Sequence, residues 1–221
     1  MAPCRDPLVK VLLDRFGRTS AEQAGIRLAD KPSPLYQLLV LATLLSARIS
    51  ADIAVAAAKE LFAAGYRTPQ RMRQASWQDR VDALGRGGYR RYDERTSTML
   101  GDAAVLLLDR WRGDLRKLRD DADGDPKRIR ELLTEFPGVG PVGADIFLRE
   151  VQAVWPQVAP YVDGRVTQGA KKVGLPPSAR DLAGLVDSPR DLARLSSALV
   201  RVSRGSRAAD EVKRLGSDPL R

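Results

Sequence analysis

Histidine is absent from this sequence of 221 residues, and cysteine occurs only once, as Cys4. Without histidine the chain cannot form a Ser-His-Asp triad, a histidine general base or a histidine-ligated zinc site. A single cysteine rules out a disulfide framework and any four-cysteine zinc or iron–sulfur site within the chain. Any catalysis must therefore use carboxylates, lysine, tyrosine, serine or threonine, or an acquired metal.

Long hydrophobic runs are also missing. The longest, LLVLATLL at residues 38–45, is far too short to cross a bilayer. Lys10 and Asp14 interrupt the apolar residues near the N-terminus, so no signal-peptide core is present there. We therefore expect a soluble, cytoplasmic protein, associated with the nucleoid if the source is bacterial.

Basic residues are in excess. Lysine and arginine total 37 against 28 acidic residues, which gives a formal net charge of +9. An excess of this size favours polyanionic partners, nucleic acid first and an anionic membrane second. A basic surface without a functional partner is the alternative, and charge alone does not distinguish the two.

The apolar pattern predicts helices almost throughout, and no segment shows the alternation of a strand. Ser50 is expected to cap a helix that ends at Gly65, and Ser76 with Asp79 resembles a capping box. Residues 18–33 are predicted to be a loop. The other predicted helices cover 35–47, 93–111, 126–135, 141–153, 164–173, 178–186, 189–203 and 206–215. The fold class predicted is all-α.

The segment FPGVGPVGADIFLREV, residues 136–151, predicts a helix, a tight hairpin and a second helix. Gly138 and Gly140 flank Val139 in the turn, and Pro141 suits the first position of the second helix. Such a hairpin exposes backbone N–H groups and a helix N-terminus, which bind phosphate without reading sequence. A plain turn between packed helices is the alternative interpretation.

Four motifs occur in an order that resembles a known family. The hairpin segment LTEFPGVGPVGADIFL is preceded by PLYQLLVLATLLSARIS and LGRGGYRRYDER, and it is followed by YVDGRV. Together they span residues 34–173 and resemble the helix-hairpin-helix DNA glycosylases related to endonuclease III, whose hairpin typically reads LPGVGxxTA. The ordered series is more specific than any one of its motifs.

The resemblance implies an all-α fold of two helical lobes. Residues 34–135 would form a helical barrel lobe, and residues 1–33 with 136–221 would form the second lobe. The active site would lie in the cleft between the lobes, with the helix-hairpin-helix at its mouth. The implied partner is double-stranded DNA that contains a lesion or a mismatch, and we expect the protein to act as a monomer.

Asp163 in the YVDGRV motif matches the catalytic aspartate of the family. Breaking the bond between a base and its deoxyribose builds positive charge on the sugar, and a nearby carboxylate stabilises that charge and orients a water. The alternative interpretation is that Asp163 only caps the helix beginning at Gly164. Both roles are compatible, because a capping aspartate is held rigidly.

Two departures from the family pattern shape the expected chemistry. Bifunctional members carry a lysine two residues after the second hairpin glycine, where this chain has Val142. We therefore expect a monofunctional enzyme without efficient lyase activity, since nothing in the sequence places Lys171 or Lys172 at the sugar. The cysteines for the family's iron–sulfur cluster are missing, so no cofactor is expected.

Several further residues are candidates for DNA contact. Arg48 lies where relatives often place a glutamine that fills the gap left by a flipped base; the alternative is a surface salt bridge, for example to Asp52. Tyr89 is near a family position that wedges into the base stack, with a core tyrosine as the alternative. Arg86, Arg90 and Arg91 are expected to contact phosphates or to be solvated.

Pro141 removes one N–H that a phosphate would otherwise meet. Asp145 is a possible pocket residue, together with Val142, or it simply favours the N-terminal dipole of its helix. The resemblance to the helix-hairpin-helix glycosylases implies a base excision repair DNA glycosylase that hydrolyses the bond to a flipped base. A catalytically weak helix-hairpin-helix protein that binds distorted DNA is the second hypothesis. The identity of the base is not encoded in any motif.

Overall fold

The computed structural model describes residues 6–216, and within them all regular structure is helical. None of these helices is long and apolar enough to cross a membrane. Apart from one 3₁₀ turn at Pro156–Val158, the helices in chain order are α1 Pro7–Phe16, α2 Ser20–Gln23, α3 Pro32–Ser46, α4 Ala51–Ala63, α5 Pro69–Gln74, α6 Trp77–Arg86, α7 Asp93–Trp111, α8 Leu115–Asp121, α9 Pro126–Thr134, α10 Pro141–Val151, α11 Gly164–Val173, α12 Ala179–Gly184, α13 Pro189–Arg204 and α14 Ser206–Gly216. The all-α prediction is confirmed.

The start and stop signals in the sequence fix most of these helices. The Ser50 hydroxyl accepts the N–H of Ile53 at the start of α4. Ser76 and Asp79 form the predicted capping box at the start of α6, and both of its reciprocal bonds are present. Each bond satisfies a backbone donor that the first turn of a helix cannot pair internally.

Three short helices were not expected from the sequence. The prediction of a loop over 18–33 is wrong at α2, where Ala21 is buried and the chain continues inward to the buried Ile26. The helices α5 and α8 are six and seven residues long. Segments this short carry too few apolar positions to show a helical period.

The described chain forms two compact units. The terminal unit contains the chain up to Thr19 and from Arg149 onward, and the central unit contains Ser20–Leu148. These bounds differ from the lobes expected at 34–135 and at 1–33 with 136–221. The physical reason lies in the hairpin turn, which packs on Thr43 and Met99 of the central unit. As functional domains, the two lobes stay a prediction.

The central unit has α3 as its innermost helix, because every residue from Leu35 to Leu44 except Gln37 is buried. Helix α6 lies so close to α4 that a Cβ on Gly87 would stand 2.3 Å from the Cα of Ala57. The buried guanidinium of Arg80 donates to the carbonyls of Met72 and Ala75 at the end of α5. It thereby satisfies carbonyl groups that have no partner within that helix.

The terminal unit is built on α1, α11 and α13, whose apolar faces share one core. Helix α13 also holds the C-terminal end of α1 through two arginines. Arg194 donates to the carbonyl of Leu13 at 3.3 Å, and Arg201 donates to the carbonyls of Phe16 and Arg18. The bonds to Leu13 and Phe16 bring positive charge to the last carbonyls of α1, the sign that a helix C-terminus favours, and the bond to Arg18 holds the segment that follows.

Helices α11 and α13 meet backbone to backbone at Gly169. A Cβ at this position would stand 2.1 Å from the carbonyl oxygen of Leu199. Replacing Gly169 by alanine must therefore push the two helices apart, and we expect it to lower the free energy of unfolding by about 1–3 kcal/mol. Urea unfolding followed by circular dichroism measures the change.

Gly184 at the end of α12 is the matched control, because nothing lies within 4 Å of a Cβ built there. Gly184→Ala should leave the free energy of unfolding unchanged or raise it by up to about 1 kcal/mol, through the lower entropy of the unfolded chain. Equal losses for the two alanine variants would contradict the close approach at Gly169.

Candidate active site

The predicted hairpin is present and is held from its apolar side. Gly138 has a φ of +84°, and a Cβ there would lie 3.0 Å from the methyl group of Thr43. Val139 is buried, and its N–H donates to the carbonyl of Phe136 at 2.9 Å. The Ser46 hydroxyl at the end of α3 donates to Thr43 and more weakly to the Gly138 carbonyl, at 3.4 Å. The turn is therefore a fixed part of the central unit.

The opposite side of the hairpin faces solvent. Gly140, Pro141 and Val142 are exposed, and a Cβ built on Gly140 meets nothing within 4 Å. No residue of the described chain accepts the backbone N–H of Gly140 or of Val142. As predicted, Pro141 begins α10 and contributes no N–H. Two exposed donors thus stand at a helix N-terminus, the arrangement that binds anions.

Asp145 closes the hairpin through an ion pair with Arg130, and its role in a pocket stays a prediction. Its carboxylate accepts the Nε of Arg130 on α9 at 2.6 Å and the Nη2 of the same arginine at 3.5 Å. The pair joins α9 to α10 and is partly exposed, with 38% and 25% of the two side chains accessible. Neither role that the sequence suggested for Asp145, a pocket residue or a dipole partner, accounts for this contact with Arg130.

Tyr89 is a core residue, which corrects the prediction of a wedge into the base stack. The side chain is 1% exposed, and its hydroxyl oxygen accepts from Thr96 at 3.4 Å. Burial raises the pKa of Tyr89. The inward direction follows from the turn, because Gly88 has a φ of +80° and the N–H of Tyr89 donates to the Leu84 carbonyl. This is a Schellman motif, in which the residue after the glycine packs back on the helix. The sequence GGY after an amphipathic helix was the available signal.

The arginines predicted to contact DNA differ in their present partners. Arg48 and Arg90 are exposed, and neither forms an ion pair with any described residue, so the alternative pairing of Arg48 with Asp52 does not occur. Arg91 lies over the ring of Tyr92, 5.2 Å from its centroid. Arg86 pairs with Glu60 at 3.1 Å. The charges of Arg48 and Arg90 are the ones left for a ligand.

Asp163 caps α11, as its alternative interpretation expected. Its Oδ1 accepts the backbone N–H of Arg165 at 2.8 Å and that of Val166 at 3.1 Å. The loop before it is fixed by Gln152, whose side chain bonds both the N–H and the carbonyl of Tyr161. The cap therefore has a defined position in the terminal unit.

The second oxygen of Asp163 is bound to Arg149, a residue that the sequence analysis missed. Nε of Arg149 lies 2.7 Å from Oδ2, and Nη2 lies 2.6 Å from it. Both side chains are almost fully buried, at 8% and 6% exposure. The signal was present in the sequence, since Arg149 interrupts the run IFL and a charge inside a buried run usually marks an ion pair.

Lys171 and Lys172 do not converge on this carboxylate. Lys171 is exposed, and the Nζ of Lys172 lies 3.4 Å from the carbonyl oxygen of Ser203. Within residues 6–216, no three acidic, histidine or cysteine side chains lie close enough together to hold a metal ion. Cys4 lies outside the described residues. One cysteine does not fit an iron–sulfur cluster of the kind that many helix-hairpin-helix glycosylases hold.

The Arg149–Asp163 pair should be a strong contributor to stability when one partner alone is removed. We expect Arg149→Met to lower the free energy of unfolding of the chain by about 3–5 kcal/mol, because it leaves a buried carboxylate without its counter-charge. Chemical denaturation at neutral pH measures this change.

Arg130→Met is the matched control, since it breaks the more exposed pair with Asp145. Solvent screens that pair, and we expect its loss to cost about 1 kcal/mol or less. A cost for Arg149→Met no larger than that for Arg130→Met would show that the buried pair is not integral to the fold.

Comparison with known proteins identifies the fold. Neither protein-family models nor curated proteins match the sequence. Among solved structures, a non-covalent endonuclease III–DNA complex matches with a TM-score of 0.50 and 18% identity, over 88% of this chain and 83% of the other. A trapped covalent endonuclease III–DNA intermediate, an estranged-adenine complex, matches with a TM-score of 0.46 and 19% identity, over 88% and 84%. This chain therefore has the all-α fold of endonuclease III, the helix-hairpin-helix glycosylase that its sequence resembles.

Proposed function

We propose that this protein is a monofunctional DNA glycosylase of base excision repair, which acts on a damaged or mismatched base in double-stranded DNA. The observation that carries the proposal is the fold shared with endonuclease III, a protein whose matching structure is a complex with DNA. The net charge of +9 supports a polyanionic partner.

The hairpin is the proposed contact with the DNA backbone. Its exposed N–H groups at Gly140 and Val142 suit a phosphate oxygen, and the N-terminus of α10 adds a favourable dipole. Such contacts position the protein on DNA without specifying sequence. Arg48 and Arg90, which form no ion pair with any residue of the described chain, are further proposed contacts, and Arg48 is the proposed partner of the base left unpaired by flipping.

The proposed chemistry uses Asp163 and a water molecule. After the target base leaves the stack, the bond from the base to C1′ breaks and positive charge develops on the sugar. A carboxylate facing C1′ stabilises this charge and orients the water that completes hydrolysis. Oδ1 of Asp163 is committed to the cap of α11, so Oδ2 is the oxygen available for the reaction. In this proposal Arg149 must then break at least one of its hydrogen bonds to Oδ2.

The absence of lyase activity follows from Val142 in this proposal. Val142 occupies the position where bifunctional relatives carry the lysine that forms a Schiff base with C1′. Its side chain is exposed in the first turn of α10 and offers no nucleophile. Strand cleavage through a covalent intermediate is therefore not expected.

One observation favours the second candidate, a catalytically weak protein that binds distorted DNA. Both oxygens of Asp163 already have two donors each, and the side chain is only 6% exposed. If Arg149 keeps its contact with Oδ2 of Asp163 after DNA has bound, the protein would bind DNA without cleaving the glycosidic bond.

A panel of duplexes separates the two candidates. Each duplex carries one lesion: uracil, thymine opposite guanine, an oxidised pyrimidine or an alkylated purine. A glycosylase gives a strand break only after heating in alkali, which cleaves the abasic site that excision leaves. Tight binding without excision of any of these bases would identify the binding protein instead.

Asp163→Asn tests the catalytic assignment. We expect this variant to lose excision on the best substrate of the panel by at least about 100-fold, since an amide cannot stabilise positive charge as a carboxylate does. Its affinity for a duplex with an abasic site should be retained, which also shows that the variant is folded at the assay temperature. Excision at the wild-type rate would remove Asp163 from the mechanism.

Val142→Lys tests the position assigned to the missing amine. We expect borohydride to trap a covalent adduct between this variant and DNA with an abasic site, while the wild-type protein gives none. Val105→Lys, which places a lysine at another exposed valine on α7, is the matched control. Equal trapping of both lysine variants would mean that the adduct is not specific to the hairpin position.

A further inference from the structure

Helix α7 supports the hairpin turn and carries an exposed arginine one turn away from that contact. A Cβ built on Gly138 would lie 3.1 Å from the sulfur of Met99, so the turn rests on this methionine of α7. Arg95 precedes Met99 by four residues, a spacing that makes two residues neighbours on one helix face, with Cβ atoms about 5–6 Å apart. Met99 is half-buried and Arg95 is exposed. Arg95 therefore lies on the open surface next to the hairpin.

The guanidinium of Arg95 forms no ion pair with any residue of the described chain. Other arginines of the central unit do have acidic partners, since Arg86 pairs with Glu60 and Arg110, at the far end of α7, pairs with Glu135. An exposed guanidinium without a carboxylate partner keeps its N–H donors for an external anion.

The stripe of α7 that contains Arg95 changes sign along the helix. Asp102 and Asp109 follow Arg95 at intervals of seven residues, which is about two turns, and both are exposed. The acids of the first turn, Asp93 and Glu94, lie on other sides of the helix. A polyanion that contacts the hairpin is therefore attracted toward the N-terminal end of this stripe and repelled from its C-terminal end.

We infer that Arg95 binds a backbone phosphate of DNA beside the phosphate taken by the hairpin. Each strand presents a phosphate every 3.4 Å or so along the helix axis, about one charge per step, so one strand can meet the hairpin donors and Arg95 at different phosphates. The planar fork of a guanidinium suits phosphate oxygens. The inference rests on the proposed function for its choice of DNA as the partner.

The second contact would fix the direction of the DNA strand on the central unit. Phosphate contacts set the orientation of a protein on a duplex, and a single contact at the hairpin leaves the strand free to turn about it. The hairpin and α7 belong to the same compact unit, and Gly138 packs directly on Met99. Arg95 is thus a positioning residue, which directs the strand over the N-terminal half of α7.

The test is the salt dependence of binding to an undamaged duplex. Loss of one phosphate contact makes the fall of log K with log salt shallower by about 0.9 and weakens binding about fivefold near 0.15 M salt. We expect this change for Arg95→Gln. Arg95→Lys should keep the wild-type slope, because a lysine retains the charge that the phosphate meets. Arg95 is exposed, so both variants should keep the thermal midpoint of the wild type.

Arg73→Gln is the matched control, because Arg73 is exposed on α5 and also forms no ion pair with any described residue. Arg80 binds the end of α5 and meets α7 at Gly101, where a Cβ would lie 2.8 Å from its Nη2. Gly101 and Met99 lie about 200° apart around the helix, so α5 and the hairpin are on opposite sides of α7. The slope for Arg73→Gln should stay at the wild-type value.

An unchanged slope for Arg95→Gln, or an equal change for Arg73→Gln, would overturn the inference. So would a loss of slope in Arg95→Lys as large as that in Arg95→Gln, since the charge would then not be what the DNA meets.

Titration calorimetry with inorganic phosphate tests the source of the ligand. If the wild type binds free phosphate and Arg95→Gln loses it while keeping the full DNA slope, the site takes a free anion and not DNA. The salt slopes are independent of excision. A wild type that shows the slope difference but excises nothing refutes the proposed function alone, and one that excises while Arg95→Gln keeps its slope refutes only this inference.

Discussion

The contact between Asp163 and Arg149 is the interaction on which the candidate site depends. One oxygen of the carboxylate begins α11 by accepting two backbone N–H groups, and the other holds the guanidinium that α10 delivers from its last turn. The pair is buried, so its loss from one side leaves an uncompensated charge in a region of low polarity. The same residue is thus required for the local fold and is the candidate for chemistry.

This double use sets a constraint on the proposed mechanism. An oxygen that already accepts two strong donors cannot also stabilise a developing cation without exchanging a partner. Arg149 is the partner that can change, because the backbone donors of α11 are fixed by the helix.

The hairpin exposes the backbone N–H groups of Gly140 and Val142 while the rest of the turn is held by packing and an ion pair. Val139 points inward, Gly138 adopts a conformation that an L side chain rarely accepts, and the pair of Arg130 with Asp145 joins the two helices. The apolar side is therefore rigid while Gly140 and Val142 stay accessible. A rigid donor pair loses little entropy when it binds a phosphate, which favours binding.

Local signals in the sequence determined the helices, the hairpin and the cap at Asp163, because caps, glycine turns and apolar periods act between residues a few positions apart. They also limited the chemistry, through the absence of histidine and the single cysteine. Tertiary structure alone decided that Arg149 pairs with Asp163 and that Arg86 pairs with Glu60, whereas Arg48 forms no ion pair within residues 6–216. Tertiary structure also directed the side chain of Tyr89 into the core. These outcomes depend on which helix faces pack together, and no period along a single helix carries that information.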